Sequence, residues 1–299
     1  MTYVGVTPQG VGFLLPPPVS ARMICGEDAP ADGFTGTFPL FKSAGLLTGI
    51  KIYNKNQGLC FDGIVDEQKE SSGAGRKLTL AARSHAAVLL DNEAIPQTYC
   101  MPSLKTVFER HVKPYGFSGF LGDGRVFSGT YTVTKGMSEW QAAAGFCSRF
   151  LKVTPRITAD TFDASGEKPQ GELLFDNAAG IAYTSLSVEN LFCNLLSEVL
   201  VKSGSAGNYC SAARSGQAEL LGIRRRRCLA QGDADGLIRA AEKKAYRVAV
   251  DCPGEITGSL FTAAKVRDTA LGFIENLYVS QTEYRLGDDG ESTRFLLRR

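Results

Sequence analysis

The 299-residue sequence predicts a mainly β protein with α+β segments, and three observations carry that reading. Glycine (33) and proline (12) punctuate many short apolar runs, so turns are frequent. Strict alternation of apolar and polar residues recurs around 47–53, 77–82 and 293–297. Helical spacing is confined to a few stretches, the clearest at 103–112, 138–150 and 233–246. Hydrophobic residues make up 43% of the chain and charged residues 21%, a balance that excludes wholesale disorder. Lys plus Arg number 33 against 31 for Asp plus Glu, which argues against nucleic acid or an anionic membrane as the main partner.

From the N-terminus, residues 1–20 read as an extended arm, because Pro16-Pro17-Pro18 cannot enter a helix or a central strand. No signal peptide or transmembrane helix is expected there, nor membrane insertion by this chain. Ala21 to Gly26 is the first expected strand, and Asp28 to Gly36 is polar and turn-rich. Leu47 to Tyr53 places Ile50 and Ile52 on one face; a turn at 54–58 returns the chain through Leu59 to Asp66. Ser71 to Gly75 is turn-forming and Lys77 to Ala82 alternates, with Leu78 and Leu80 inward. These strands predict a small antiparallel, barrel-like domain over residues 1–91.

Residues 92–160 are mixed α/β. Ser103 caps a helix whose buried stripe is Leu104, Val107, Phe108 and Val112, and Pro114 and Gly116 end it. Val126 to Val133 reads as a strand. Ser138 and Gln141 form a capping box, followed by an apolar face of Trp140, Ala143, Ala144, Cys147 and Phe150. In residues 161–299, strands at 171–175 and 181–188 flank a hairpin signal at Asn177 to Gly180. Leu191, Phe192, Leu195, Leu196, Val199 and Leu200 have helical spacing. A helix from Asp233 to Tyr246 buries Leu237, Ile238, Ala241 and Ala245, and with Arg247 to Asp251 it forms an inserted helix–strand segment, about 233–252. Strands at 265–269, 275–286 and 291–298 complete a C-terminal sheet, with a hairpin turn at 287–290.

Several short stretches share an order and spacing with one family. They are Gly63-x-Val65-Asp66, Leu78-x-Leu80-x-x-Arg83-Ser84, Leu89-Leu90-Asp91-Asn92-Glu93-Ala94-x-Pro96, and His111-x-x-Pro114-Tyr115-Gly116. Pro30-Ala31-Asp32-x-Phe34, Gly222-Ile223-x-Arg225-Arg226-Arg227 and Asn276-x-Tyr278-Val279 extend the likeness over residues 20–299. The chain resembles the baseplate hub proteins of contractile phage tails, the late control gene D or Mu-type tail proteins. That resemblance implies two β-barrel, tube-like hub domains (1–91 and 161–299) and a small α/β LysM-like domain (92–160). It also makes 196–202 a strand rather than a helix, leaving 189–195 unassigned. It further implies a non-enzymatic homotrimer in the virion tail baseplate, made and assembled in the bacterial host cytoplasm. Such a ring would adapt a six-fold tail tube to a three-fold spike. The implied partners are the spike, the tube and other baseplate proteins, with tape-measure protein and DNA passing through the lumen.

Candidate chemistry is sparse. No nucleophile elbow, P-loop, dinucleotide fingerprint or H-E-x-x-H motif occurs. No catalytic, cofactor-binding or metal-binding residue is expected, and no cofactor. Asp91 and Glu93 offer a carboxylate pair for glycoside hydrolysis, but satisfying backbone donors is the simpler role for them. The two histidines, His85 and His111, read as surface or helix-C-terminal charges. Eight cysteines without a C-x-x-C pair read as isolated, mostly buried thiols. Tyr131 to Trp140 resembles the opening of a LysM repeat, so the alternative function is a tail-associated peptidoglycan hydrolase or peptidase, or a glycan-binding module. Arg224 to Arg227 is the sharpest charge feature. It reads either as a strand pairing acids across its sheet or as a channel-lining or intersubunit run. If it is a strand, Arg224 and Arg226 share one side and Arg225 and Arg227 the other.

Overall fold

The computed structural model describes every residue except 74, 167–170, 205–206 and 231, so the turn expected at 71–75 is described apart from Ala74. The chain divides into two compact units. The first comprises Met1–Lys168, Pro253–Leu260 and Gln281–Thr293; the second comprises Pro169–Cys252, Phe261–Ser280 and Arg294–Arg299.

The first unit begins with β1 (Thr2–Val6), β2 (Gly12–Leu14), β3 (Ser20–Gly26), β4 (Gly33–Leu40), β5 (Gly49–Tyr53), β6 (Leu59–Ser71) and β7 (Arg76–Ser84). Their antiparallel ladders run in the order β2-β1-β5-β6-β7-β4-β3, and the free side of β3 pairs with residues 281–286. Alternation decides which residues face the core: Ile50, Ile52, Leu78, Leu80, Phe34 and Phe38 are buried together with Tyr3 and Phe61. The expected N-terminal arm is instead a hairpin, β1 pairing with both β2 and β5. The three prolines follow β2, where they end the pairing rather than prevent it. The second half of the stretch read as turn-rich, 28–36, likewise enters strand β4.

Gly63 lies mid-strand in β6, between β5 and β7. A Cβ there would stand 2.5 Å from the Arg83 carbonyl oxygen and 2.6 Å from the Phe61 ring. Backbone cannot yield as a flexible side chain can. Gly63→Ala is therefore expected to destabilise the protein by about 1–3 kcal/mol in a denaturant titration; an unchanged midpoint would contradict the packing described.

Glu283, 4% exposed, accepts hydrogen bonds from Arg22 at 2.5 Å and Arg285 at 2.7 Å. Burial pushes its carboxyl up, but the Arg285 and Arg22 guanidiniums outweigh burial and hold it below the ordinary carboxylate range. Its contribution to stability is therefore present at neutral pH and is lost as pH falls through the depressed value. Glu283→Gln should be less stable at pH 7 and show a flatter stability profile between about pH 5 and 2. Parallel profiles for variant and parent would contradict this.

The same unit carries an α/β layer: α1 (Ala87–Asp91), β8 (Gln97–Cys100), α2 (Leu104–His111), β9 (Gly119–Leu121), β10 (Thr130–Val133), α3 (Glu139–Phe146), β11 (Arg156–Thr158) and β12 (Thr161–Asp163). β8 and β10 pair antiparallel, and β12 joins β11 antiparallel and β9 parallel. Ser103 caps α2 by accepting from the Thr106 amide at 3.2 Å, and the Ser138–Gln141 capping box at α3 is complete. The buried stripe of α3 is Ala142, Ala143, Phe146 and Cys147, rotated slightly from the expected one and continued by a π-helical turn over Cys147–Leu151.

The second unit contains β13 (Glu172–Asp176), β14 (Ser185–Asn190), β15 (Glu198–Ser203), β16 (Asn208–Arg214), α4 (Gly216–Leu220), β17 (Arg226–Leu229), α5 (Ala234–Ala245), β18 (Tyr246–Pro253) and β19 (Ala263–Asp268). It also holds the residues up to Ser280 of β20 (Gly272–Gly287) and those from Arg294 of β21 (Gly290–Arg298). One ladder runs β14-β18-β21-β20-β19-β13. The hairpin expected about 177–180 does not form: β13 pairs parallel with β19, and β14 antiparallel with β18. Phe175 is buried on that ladder against Phe295, ring centroids 5.1 Å apart, so long-range packing outweighs the local turn signal. A second sheet, β16-β15-β17, rests on α5 through Val199, Ala213, Ile238 and Ala241. Residues 198–203 are thus a strand, as the resemblance implied and the helical spacing did not.

A mixed α/β fold dominated by strands is what forms, but the two expected β-barrels do not. Each strand order is linear, with β2 at one end in the first unit and β14 and β13 at the two ends in the second; among the described residues no ladder joins the ends. Closure needs every strand hydrogen-bonded on both edges. β2 is only three residues long, with Leu14 outermost and exposed, and it runs straight into the proline segment.

Candidate functional site

The carboxylates considered for hydrolysis are tied down structurally. Arg83 donates to both oxygens of Asp91 (3.0 and 2.7 Å) and both oxygens of Asp66 (2.9 and 2.6 Å). Hydrogen bonding to Arg83 holds the Asp91 carboxyl below its usual range, the opposite of what a general acid requires. Glu93 accepts from the Gly136 amide at 2.9 Å and helps fix the approach to α3.

His85 is half-exposed and lies 3.3 Å from Asp62. His111 corrects its sequence reading, for it is 1% exposed and faces inward. Its Nδ1 lies 2.5 Å from Glu139 Oε2, and its Nε2 2.7 Å from the Tyr99 hydroxyl. Tyr115 O–H donates to Glu139 Oε1 at 2.9 Å. Burial, then the Glu139 carboxylate, raises the Tyr115 phenol. This Tyr99–His111–Glu139–Tyr115 network joins α2, α3 and β8. The sequence held a signal for it, since His111 lies four residues after Val107 on the buried stripe of α2.

Trp140 is half-buried and meets Phe162 edge-on, centroids 6.0 Å apart, so its ring packs on its own core. The cysteines are free, but the expectation that most are buried fails: Cys147 and Cys252 are buried, Cys25 and Cys60 partly so, and Cys100, Cys193, Cys210 and Cys228 are exposed. Burial pushes the Cys147 and Cys252 thiols up to about 12, which leaves them inert. Among the described residues no cluster of three or more His, Cys, Asp or Glu is placed to hold a metal ion. No helix among them is long and apolar enough to cross a membrane.

The arginine run is placed differently from its sequence reading. Only Arg226 and Arg227 lie in β17, whereas Arg224 and Arg225 precede it, so the strict four-residue alternation does not hold. Arg225 pins the strand's start: its amide donates to Ser197 Oγ at 3.0 Å, its carbonyl accepts from the Ser197 amide at 2.8 Å, and its guanidinium donates to the Phe192 carbonyl at 3.1 Å. All four arginines are exposed. Arg226 stands opposite Glu198 across the sheet and within electrostatic reach of it, although among the described residues no direct salt bridge involves Arg224, Arg226 or Arg227. The nearby Glu198 is bridged by Arg214 at 3.2 Å. A groove of about 580 Å³ is lined by Ser197, Glu198, Arg214 and Arg224 to Arg226. A second, of about 380 Å³, has Leu196, Leu237, Ala240 and Ala241 beside Arg225 to Arg227 and Lys244.

The fold is that of phage and prophage tail proteins, as the hub resemblance implied. The chain is similar to the tail protein from Neisseria meningitidis MC58, at 16% identity and TM-score 0.77, over 100% of this chain and 97% of that one. It is similar to the 43 kDa tail protein of prophage MuSo2 from Shewanella oneidensis, at 13% identity and TM-score 0.74, over 99% and 97%. A third likeness is to the E. coli c3393 protein, at 9% identity and TM-score 0.58, over 94% and 73%. That protein is described as a type VI secretion component structurally similar to the T4 tail proteins gp27 and gp5. No protein-family model matches the chain, and no curated protein matches its sequence.

Proposed function

We propose that the chain is a structural baseplate hub of a phage or phage-derived contractile tail. The observation that carries this reading is the end-to-end likeness to tail proteins, 100% of this chain on 97% of the Neisseria protein. In this reading three copies form a ring between a six-fold tail tube and a three-fold spike, leaving a path for tape-measure protein and DNA. The ring forms on strand edges, which the open sheets leave available for pairing between copies. The chain contacts the spike, the tube and other baseplate proteins, resides in the virion tail, and is assembled in the host cytoplasm. It performs no catalysis, which agrees with Asp91 being clamped by Arg83 and Glu93 by the Gly136 amide.

Gold-labelled antibody against a tagged chain tests the placement in electron micrographs of particles from producing cells. Label at the tail end beside the spike is expected; label absent from all particles would overturn the proposal. A zymogram on cell-wall substrate should show no clearing. Clearing that disappears with Asp91→Asn or Glu93→Gln would establish the hydrolase reading instead.

A further inference from the structure

β17 is an edge strand. In the sheet β16-β15-β17 it pairs parallel with β15, Glu198 opposite Arg226 and Val201 opposite Leu229, and among the described residues its outer side pairs with nothing. An unpaired edge presents backbone N–H and C=O groups at the spacing of another strand. Four consecutive exposed arginines stand along and just before this edge. Three other arginines of this unit are bridged by an acid: Arg247 by Glu189, Arg267 by Asp176 and Arg294 by Asp251. The run has only Glu198 opposite Arg226, a carboxylate already bridged by Arg214, so net positive charge remains where the backbone is open.

We propose that the outer edge of β17 receives an extended acidic segment of a partner protein as an added strand. Successive side chains of a strand point to opposite faces, and two grooves lie beside β17. Leu229 packs on the α5 cluster and shares its face with Arg227, and beside the strand lies the groove of Leu196, Leu237, Ala240 and Ala241, rimmed by Arg225, Arg226, Arg227 and Lys244. Arg226 also lines the other groove, with Arg214, Arg224 and Arg225, in which Glu198 and Glu219 are both bridged by Arg214. A segment alternating carboxylates with apolar side chains satisfies charge, backbone and floor together.

Two other occupants fit less well. A second copy adding its own β17 would set arginine against arginine. Nucleic acid would answer the charge but could use neither the backbone edge nor the apolar floor. Simple blunting of an edge against aggregation needs no apolar groove beside it. The proposal rests on the geometry of this unit and not on the hub reading, so either can fail alone.

The test uses the full-length chain and a fluorescent peptide alternating Val and Glu, followed by anisotropy. The Glu peptide should bind at least about tenfold tighter than its Lys counterpart and weaken with salt. The double variant Arg226→Glu with Arg227→Glu should lose about tenfold or more, and the corresponding lysine variant should stay within about threefold. Ala240→Glu, which places a carboxylate in the apolar groove from an exposed helix position, should weaken binding and provides the reading if the double variant does not fold. Bound peptide should slow hydrogen exchange at the outward amides of β17. Equal affinity for the Glu and Lys peptides would overturn the proposal. So would binding indifferent to these substitutions, or a single-stranded oligonucleotide of equal charge binding as tightly as the Glu peptide.

Discussion

Glu139→Ala is expected to destabilise the protein by about 3 kcal/mol, since each buried polar group left without its partner costs about 1–3 kcal/mol. Glu139 is 5% exposed and is the first residue of α3, while His111 is the last of α2. The carboxylate takes the His111 Nδ1 contact on one oxygen and the Tyr115 hydroxyl on the other. Truncation takes this acceptor from the buried His111 and the half-buried Tyr115, and the desolvation cost is greatest at the histidine. Glu139→Gln keeps the shape and can still accept from one of them, so it should lose clearly less. Replacing Glu139 and His111 together by leucine should recover part of the loss, because the buried imidazole is no longer orphaned, although the Tyr115 and Tyr99 hydroxyls still lose their partners. Urea titrations of the three variants decide this; equal losses for Ala and Gln would show that the network contributes little beyond volume.

Phe38→Ala should destabilise by about 3–5 kcal/mol for a different reason, the loss of buried ring surface and the cavity left behind. Phe38 is fully buried in β4, and its ring meets Tyr3 edge-on with centroids 5.5 Å apart. Its neighbours in the core include Ile50, Ile52, Leu78 and Leu80, all fully buried, so collapse around the gap is restricted. Phe38 and Glu139 share no partner, so the double variant should lose the sum of the two within about 0.5 kcal/mol. A loss below about 1 kcal/mol for Phe38→Ala would mean that this core is not assembled as described.

The sequence was most informative where structure is local. Ser103 and the Ser138–Gln141 box announce their helices because a cap is written within four residues. Leu78 and Leu80 announce a strand because burial alternates with the pleat. It was least informative where the deciding partner is distant. The Asn177–Gly180 turn signal is real, but β13 goes to β19, some ninety residues away, and no local pattern states that choice. Barrel closure is likewise a property of sheet ends. The same alternating strands suit an open order, and no pattern within a strand states where the sheet ends.

The N-terminal arm is a hairpin for a related reason: the proline run constrains its own residues and not the strands before it. His111 was misread because a titratable residue on an apolar stripe was assigned to solvent; its partner Glu139 lies 28 residues on, in another helix. The charge of Arg224 to Arg227 was legible, but its register was not. Arg225 is held by Ser197 and Phe192, so the strand begins one residue later. The tail-protein fold was legible only through motif order, and at 16% identity to the Neisseria protein the architecture persists where sequence scarcely does.

The most direct test of the hub account is native mass measurement of tail tips purified through a tag on this chain. The account predicts three copies of the chain bound to a three-fold spike-type protein, with rings visible in electron micrographs of the same sample. Recovery of the chain only as a monomer, with no spike-type protein and no ring, would contradict it.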